Sequence, residues 1–414
     1  MSTRPELLMS FGRQATVALL VLAPISIGGR LWSAHPLWLT LALAIFAACV
    51  AHSLMRERTM AVDGLSVALS ALALFTLAQT IPLGGLLGVV SPRAAEIRAL
   101  TLGAAAGPVS YEVGETLLET MKLAVYAMLA VSVAYMCRHR SSDFVLKGVA
   151  AGGIVTMAIG LLHALLGWEG LFSVWPTHHD VGMLLATFAN PNHAAGYLML
   201  AGFAALALGV DGRTSEPGFA LLACALFAGS LYQRSTGATA ALLAGLVLAL
   251  VLMTRRWRAT RTAGSASLIR TLGFRTAVVM GFATIAVLGA EALIDGLSQT
   301  KLDEKTAAFL YSPALVGDHF WLGIGRGAYR SVYSAYLDQP LRVVHTHPET
   351  LPVQLMAEWG AVAGGLAFVG LVAFLLRRLL ATERTKELIV LSGVTALVLQ
   401  NLVDFSLELT GVAM

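Results

Sequence analysis

The feature that most constrains this chain is a series of long apolar runs that recurs along almost its whole length. A helix-length hydropathy window gives eleven such runs, at residues 14–29, 36–54, 63–83, 117–137, 147–167, 194–210, 218–233, 237–254, 275–295, 359–376 and 387–404. About 20 apolar helical residues cross the hydrocarbon core of a bilayer. The pattern therefore predicts an all-α, polytopic integral membrane protein with about eleven transmembrane helices, in which residues 1–414 form a single membrane domain.

The composition supports this class, since 57% of the residues are hydrophobic and only 13% are charged, against about 25% charged in soluble domains. Cys49, Cys137 and Cys224 lie in or at the ends of apolar stretches. We interpret them as small core residues, because they show no disulfide or zinc-site spacing. The net charge of +4 requires no nucleic-acid partner, because basic residues beside membrane spans face anionic lipid headgroups.

The basic residues predict the orientation. With a cytoplasmic N-terminus, the inner connections hold 18 of the 28 Lys and Arg residues, and six of these lie in 255–275. The positive-inside rule then places the longest polar segment, 296–358, on the outer side, facing the periplasm or the cell exterior. The other outer segments are 84–116, which carries no distinctive cluster, 168–193, and the turn around Arg234.

Two of these outer segments carry polar clusters with competing interpretations. Asn190, Asn192 and His193 stand in "NPNHAAGYL" and are either substrate ligands or a turn and helix start with Asn192 as the N-cap. Arg234, in "YQRSTGAT", is either a substrate ligand or a snorkelling interfacial residue. Arg234 lies on the predicted outer side, whereas most basic residues lie on the inner side, and this favours its interpretation as a substrate ligand.

The segment 296–358 is predicted to be the catalytic loop. "GIGRGAY" lacks dinucleotide-binding spacing, so we expect a tight loop that brings Arg326 or Arg330 to the site. Glu358 is a further candidate, with simple pairing to one of these arginines as the alternative. His345 and His347, in "HTHPE", are the strongest candidates, because H-x-H beside carboxylates in a loop is seldom a structural core feature.

A metal site is the rival chemistry for the histidines. Its possible ligands are His178, His179, Asp180, His345, His347 and Glu349. No H-E-x-x-H helix is present, and Pro348 and Pro352 break the helical spacing that such sites use. No D-x-D pair is available to hold Mg²⁺ for a nucleotide-sugar donor. We therefore predict neither a metal nor another cofactor.

Transfer of a glycan from a lipid-linked pyrophosphate needs neither a metal nor another cofactor. The glycosyl phosphate already stores the energy, so the protein must neutralise the leaving group, which suits arginine, and activate an acceptor hydroxyl, which suits histidine. A transporter or flippase for the same lipid-linked glycan is the alternative of a different class. It would require charged residues or Gly/Pro breaks at mid-membrane, whereas the predicted spans are nearly free of charge.

Four stretches in order, "TFANPNHAAGYL", "QRSTGATAALLAGL", "DHFWLGIGRGAYRSVYSAY" and "HTHPETLPVQLMAEWGAVAGG", resemble the O-antigen ligase and polysaccharide polymerase superfamily. The resemblance covers most of the chain from about residue 120. It implies an inverting, metal-independent glycosyltransferase of the bacterial inner membrane with a periplasmic site. The donor would be a glycan on undecaprenyl pyrophosphate. The acceptor would be lipid A-core for a ligase, which we place first, or a glycan for a polymerase.

The resemblance also implies residue roles. His347 matches the family's catalytic histidine and His345 its companion, whereas Arg234 matches a pyrophosphate-binding arginine and Lys305 a second phosphate-binding position. Two positions depart from the pattern: Pro348 replaces the usual Asn, and Lys305 replaces an arginine. The family usually has twelve spans, so the resemblance predicts one more than the hydropathy does.

Overall fold

A computed structural model of the chain describes residues 4–27, 34–83, 89–103, 107–168, 170–176, 187–210, 217–259, 311–337 and 346–414. These residues are mostly helical. Their strand content is one short antiparallel pair, β1 (Gly170–Leu171) with β2 (Trp175–Pro176). The predicted all-α class is therefore confirmed for the described part of the chain.

The helices are α1 (Arg4–Ile25), α2 (His35–Met55), α3 (Gly64–Ala78), α4 (Pro92–Leu102), α5 (Val113–His139), α6 (Asp143–Leu166), α7 (Pro191–Gly209), α8 (Pro217–Tyr232), α9 (Thr236–Ala259), α10 (Tyr329–Tyr333), α11 (Leu351–Trp359), α12 (Ala361–Ala381), α13 (Thr385–Gln400) and α14 (Thr410–Ala413). Residues 311–318 are also helical, and short 3-10 turns occupy Ser334–Tyr336 and Ser406–Glu408.

Six of the described helices are long and apolar enough to cross a membrane: α1, α2, α5, α6, α12 and the Thr236–Arg255 part of α9. The protein is therefore of the multi-pass membrane type. Ten of the eleven predicted runs fall on helices, and the run 275–295 lies outside the described residues. The total of eleven spans stays a prediction.

Local sequence explains where several helices begin. Asp63 caps α3, because its carboxylate accepts a hydrogen bond of 2.8 Å from the backbone N–H of Ser66. Asn190 caps α7, where its side-chain oxygen accepts a 2.8 Å bond from the N–H of Asn192. The expected helix start is thus present, but the expectation that Asn192 is the cap was wrong. Pro191 explains the difference, because proline suits the first helical position and places the cap one residue before it.

The apolar core has two main parts. One joins α1, α2 and α5 around Leu19, Ile45 and Met136, and the other joins α6, α8, α9 and α13 around α7. Helix α7 is buried along nearly its whole length, so it is a central helix enclosed by its neighbours. Gly202 permits this packing, because a Cβ there would overlap the ring of Phe227 on α8.

The connections that carry the basic residues lie at one end of the helices, where ion pairs link them. Glu6 pairs with Arg56 at 3.1 Å and with Arg140 at 2.8 Å, and Lys386 pairs with Asp143. We call this the basic end. The segments at the opposite end are 79–83, 107–112, 187–193, 232–236, 319–328, 346–360 and 400–409. The described parts of the polar segments that the sequence singled out therefore lie at one end of the bundle, away from the basic end.

Helix α4 corrects the view that residues 84–116 are featureless. It packs against 311–337, where Ile97 shares a small core with Leu315 and Tyr329. Ala94, Ile97 and Arg98 are its buried positions, which is the spacing of one helical face. An amphipathic helix of 11 residues is too short for a span-length hydropathy window to detect.

Candidate functional site

The "GIGRGAY" segment forms the tight loop that its glycines predict. Gly323, Gly325 and Gly327 have φ angles of 69°, 94° and 81°, a region that other residues rarely adopt. A Cβ at Gly325 would lie 2.5 Å from the side chain of Ser110, so the loop also needs glycine for close approach. This conformation directs Arg326 into the protein.

Arg326 is buried among carboxylates. Its Nη1 lies 2.5 Å from Glu358 Oε2, its Nη2 contacts Glu408 Oε2, and its Nε lies 3.7 Å from Glu119 Oε2. The guanidinium carbon also stands 4.9 Å from the centroid of the Trp359 ring. Arg326 therefore has its charge satisfied within the protein, and the structure makes Glu358 its partner, as the alternative interpretation of Glu358 proposed.

We call Glu119, Lys122, Arg326, Glu358 and Glu408 the ionic cluster. Lys122 Nζ donates to Glu119 Oε1 at 2.5 Å, so the cluster sets three carboxylates against two cations. Burial raises the pKa of Glu358 to about 7, against the lowering effect of Arg326, and the neighbouring carboxylates raise it further. Glu358 is thus the carboxyl group that we expect to bind a proton near neutral pH.

The cluster also corrects the expectation about charge in the spans. Glu119 and Lys122 lie on α5, inside the predicted run 117–137, and both are largely buried. They occupy the second and third turns of that helix, at the end opposite to the basic end. The expectation that the spans are nearly free of charge overlooked this ion pair on α5. Its two charges neutralise each other, and Glu119 also faces Arg326 of the loop.

His347 and His193 both contact one aromatic ring. The His347 ring stacks on Phe405 with centroids 4.2 Å apart and 9° between the planes, and the His193 ring meets Phe405 edge-on at 4.6 Å. His347 is half-buried, with its Nδ1 2.8 Å from Thr346 Oγ1. The two histidine segments, more than 150 residues apart in the chain, are therefore in contact through Phe405.

Asp404 completes this group, which we call the histidine–Phe405 stack (His193, His347, Asp404 and Phe405). Asp404 Oδ1 lies 3.2 Å from His193 Nε2 and accepts the N–H of Phe405 at 2.8 Å, while Oδ2 accepts Gln400 Nε2 at 2.9 Å. Sequence reasoning missed Asp404 and Glu408. Two carboxylates, one at the end of the last apolar run and one four residues after it, with no basic neighbour, were the available signal.

Arg234 lies at the same end of the bundle. It stands in the turn between α8 and α9 with a φ of 54°, and its side chain is exposed. Nearby, a Cβ on Gly237 would lie 3.1 Å from Val403 Cγ2, so this turn adjoins the residue before Asp404. Within the described residues Arg234 has no ion pair, which leaves its guanidinium available to an anion.

The remaining predicted ligands divide into three cases. Arg330 is exposed at the start of α10. Asn190 caps α7 by accepting the N–H of Asn192, and the Asn192 carbonyl oxygen accepts a hydrogen bond of 2.9 Å from Gln400 Nε2. His345 and Lys305 lie outside the described residues, as do 296–310 and 338–345 of the predicted catalytic loop.

A further polar group that sequence reasoning missed lies between α4 and 311–337. His319 Nε2 lies 2.9 Å from the Tyr111 hydroxyl, and its Nδ1 lies 3.1 Å from the carbonyl oxygen of Leu315. Burial lowers the pKa of His319 to about 4, so this imidazole is neutral at physiological pH. Arg98 covers the same Tyr111 ring at 5.1 Å.

In the part of the chain that the structure describes, no three His, Cys, Asp or Glu residues lie close enough together to hold a metal ion. His178, His179 and Asp180 are outside that part, so the prediction of a metal-free site stays a prediction. The cysteines are free, with Cys49 buried and Cys224 exposed on α8, so the core interpretation holds for the first and is wrong for the second.

The chain was compared with protein-family models, with curated proteins and with solved structures. None of the three comparisons finds a match.

Proposed function

We propose that this protein is a membrane glycosyltransferase. It moves a glycan from undecaprenyl pyrophosphate to an acceptor hydroxyl at the periplasmic face of the bacterial inner membrane, without a metal or cofactor. Lipid A-core is the acceptor we place first, which makes the protein an O-antigen ligase, and a growing glycan is the alternative, which makes it a polymerase. Membrane lipids surround it, and no nucleic acid takes part.

One observation carries the proposal: the histidine–Phe405 stack adjoins the turn that presents Arg234. His193, His347 and Arg234 come from three distant segments, yet all lie at the end of the bundle away from the basic end. A half-buried imidazole and an exposed guanidinium at the same end of the bundle supply a proton acceptor and a phosphate ligand. These are the two groups that transfer from a glycosyl pyrophosphate requires.

The chemistry is a single displacement. The acceptor oxygen attacks the anomeric carbon from the face opposite the pyrophosphate, so a carbon–oxygen bond to the acceptor forms as the bond to the phosphate breaks. The electron pair leaves with undecaprenyl pyrophosphate, and the acceptor proton passes to His347. A positioned base contributes typically about 10² to 10⁴ in rate.

Fewer residues are available to bind the donor than the sequence suggested. Arg234 and Arg330 are exposed, and with Lys305 they form the proposed pyrophosphate-binding set. Arg326 and Glu358 leave that set, because each already satisfies the charge of the other at 2.5 Å. Asn190, Asn192 and His193 support the site through the start of α7, and His345 keeps its proposed role as companion of His347.

A transporter of the lipid-linked glycan is the second candidate, and the observation that favours it is the charged pair Glu119 and Lys122 on α5. Buried ionisable residues in a span commonly mark a translocation pathway. Here the pair lies near one helix end and its charges are satisfied by one another and by Arg326. That arrangement favours a fixed structural network over a moving charge.

The test measures consumption of purified undecaprenyl-pyrophosphate-linked glycan in detergent, with lipid A-core or glycan acceptor supplied separately. We expect wild-type transfer with and without EDTA, and a loss of about 10² or more in rate for His347→Ala. His139→Ala, at the basic end, is the matched control and should keep the wild-type rate. An active His347→Ala protein, or chelation that stops the wild type, would overturn the proposed mechanism.

Arg234 is tested in the same assay against Arg255, an exposed arginine at the other end of α9. Arg234→Ala should lose about 10- to 100-fold in donor consumption, as expected for removal of a charge-assisted hydrogen bond worth about 1.5 to 3 kcal/mol. Arg255→Ala should behave as wild type. Equal activity of both variants would reduce Arg234 to an interfacial residue, and movement of donor across vesicles without a new glycosidic bond would favour the transporter.

A further inference from the structure

Arg326 joins the two segments that hold the proposed base in place. Glu358 lies on α11, which begins four residues after His347, and Glu408 lies three residues after Phe405. One guanidinium contacts both carboxylates, through Nη1 and Nη2 respectively. The ionic cluster thus ties the segment of His347 to the segment of its stacking partner.

Hydrogen bonds hold the backbone around Arg326 in place. Gln79, at the end of α3, accepts the Arg326 N–H at 3.2 Å and donates to the carbonyl oxygens of Leu322 and Glu358, both at 2.7 Å. The Arg326 carbonyl accepts the hydroxyl of Thr116 on α5 at 2.7 Å. The loop is therefore anchored to two helices before its side chain reaches α11 and the C-terminal segment.

A second tie between the same two segments shows how closely they meet. The N–H of Leu351 donates to the carbonyl of Asn401 at 2.8 Å. This bond joins the first residue of α11 to the residue after α13. The stack of His347 on Phe405, with centroids 4.2 Å apart, lies on this junction. A change in how the two segments meet would therefore shift the two rings relative to each other.

We propose that Arg326 is a positioning residue, whose fork-shaped guanidinium clamps α11 and the segment 401–409 so that His347 stays oriented on Phe405. This inference rests on the proposed role of His347 as base. A guanidinium suits the task because it presents separate N–H groups to two carboxylates, whereas a lysine ammonium is a single point of charge. The competing role, direct binding of the donor, would require a pyrophosphate to displace Glu358 or Glu408 from a buried site.

The experiment compares Arg326→Lys and Glu408→Ala with Arg93→Lys, an exposed arginine on α4 with a surface ion pair to Asp318. Donor consumption gives kcat and the donor KM. The rate of diethylpyrocarbonate modification at His347, mapped by mass spectrometry, reports the imidazole environment without catalysis. His163, buried on α6, is the internal reference for general loosening of the fold.

We expect Arg326→Lys and Glu408→Ala to lower kcat by about 10- to 100-fold, as misplacement of a catalytic group does, with the donor KM little changed. His347 should be modified severalfold faster in both variants while His163 keeps its rate, and Arg93→Lys should match wild type. A raised donor KM with unchanged His347 modification would overturn the clamp, as would faster modification of His163 and His347 alike. Should Arg326→Lys not fold, Glu408→Ala decides alone.

The two proposals fail separately. If the wild type transfers no glycan, the proposed function is refuted, and the modification rates still show whether Arg326 holds His347. If the wild type transfers glycan and His347 is modified at the same rate in all proteins, the clamp is refuted and the proposed function stands.

Discussion

Replacing Glu358 by glutamine should remove a pH dependence of stability that the ionic cluster imposes. The pKa of this carboxyl is raised from 4.5 to about 7, and burial is the largest cause. Between those values the folded protein binds a proton that the unfolded chain does not. Stability from this group is therefore fully present below pH 4.5 and is lost as the pH rises to about 7.

The magnitude follows from the shift. Each pKa unit corresponds to about 1.4 kcal/mol, so a shift from 4.5 to about 7 amounts to about 3 kcal/mol across the window. Glutamine resembles the protonated acid in shape and lacks the negative charge. Its amide oxygen can still accept from Arg326, which in wild type lies 2.5 Å from Glu358. The variant should therefore keep the fold and lose the titration.

The measurement is the apparent unfolding temperature in detergent from pH 5 to 8, for wild type, Glu358→Gln and the exposed control Glu383→Gln. His319 acts in the opposite direction, because its pKa is lowered to about 4 and its contribution is lost as the pH falls from 6.5. Since His319 is common to all three proteins, the difference between wild type and Glu358→Gln isolates Glu358. A difference that stays constant from pH 5 to 8 would refute the reasoning.

Three further predictions concern the fold. Asn190→Ala should lower the free energy of unfolding by about 1 kcal/mol through loss of the α7 cap, measured by thermal unfolding, and Asn190→Ser should restore most of it. Gly202→Val should cost about 1 to 3 kcal/mol by overpacking α7 against α8, whereas Gly365→Ala, with open space at its Cβ, should be neutral; equal unfolding temperatures would contradict the packing. A periplasm-active reporter fused after Ser331 should be active and one after Ala263 silent, and reversed activities would overturn the proposed orientation.

Local sequence was enough for the features that depend on one segment at a time. Transfer of about 20 apolar residues into lipid is favourable whatever their neighbours are, so the runs predicted from hydropathy fall on helices wherever the structure describes them. The glycines of residues 323–327 likewise predicted a tight loop, because glycine readily adopts positive φ angles, and the structure has such angles at all three glycines. His193 and His347 also stood out in the sequence as polar residues in an apolar chain, and their role in the site stays a prediction.

The roles of the charged residues were decided by tertiary structure. Arg326 was predicted to bind substrate, but its charge is satisfied by Glu119, Glu358 and Glu408, which come from three other parts of the chain. Hydropathy and charge asymmetry describe each segment against its solvent. They carry no information about which carboxylate a guanidinium will meet, because that depends on how the helices pack. The contact of His347 with Phe405 has the same origin, since it forms only where the start of α11 and the end of α13 lie side by side.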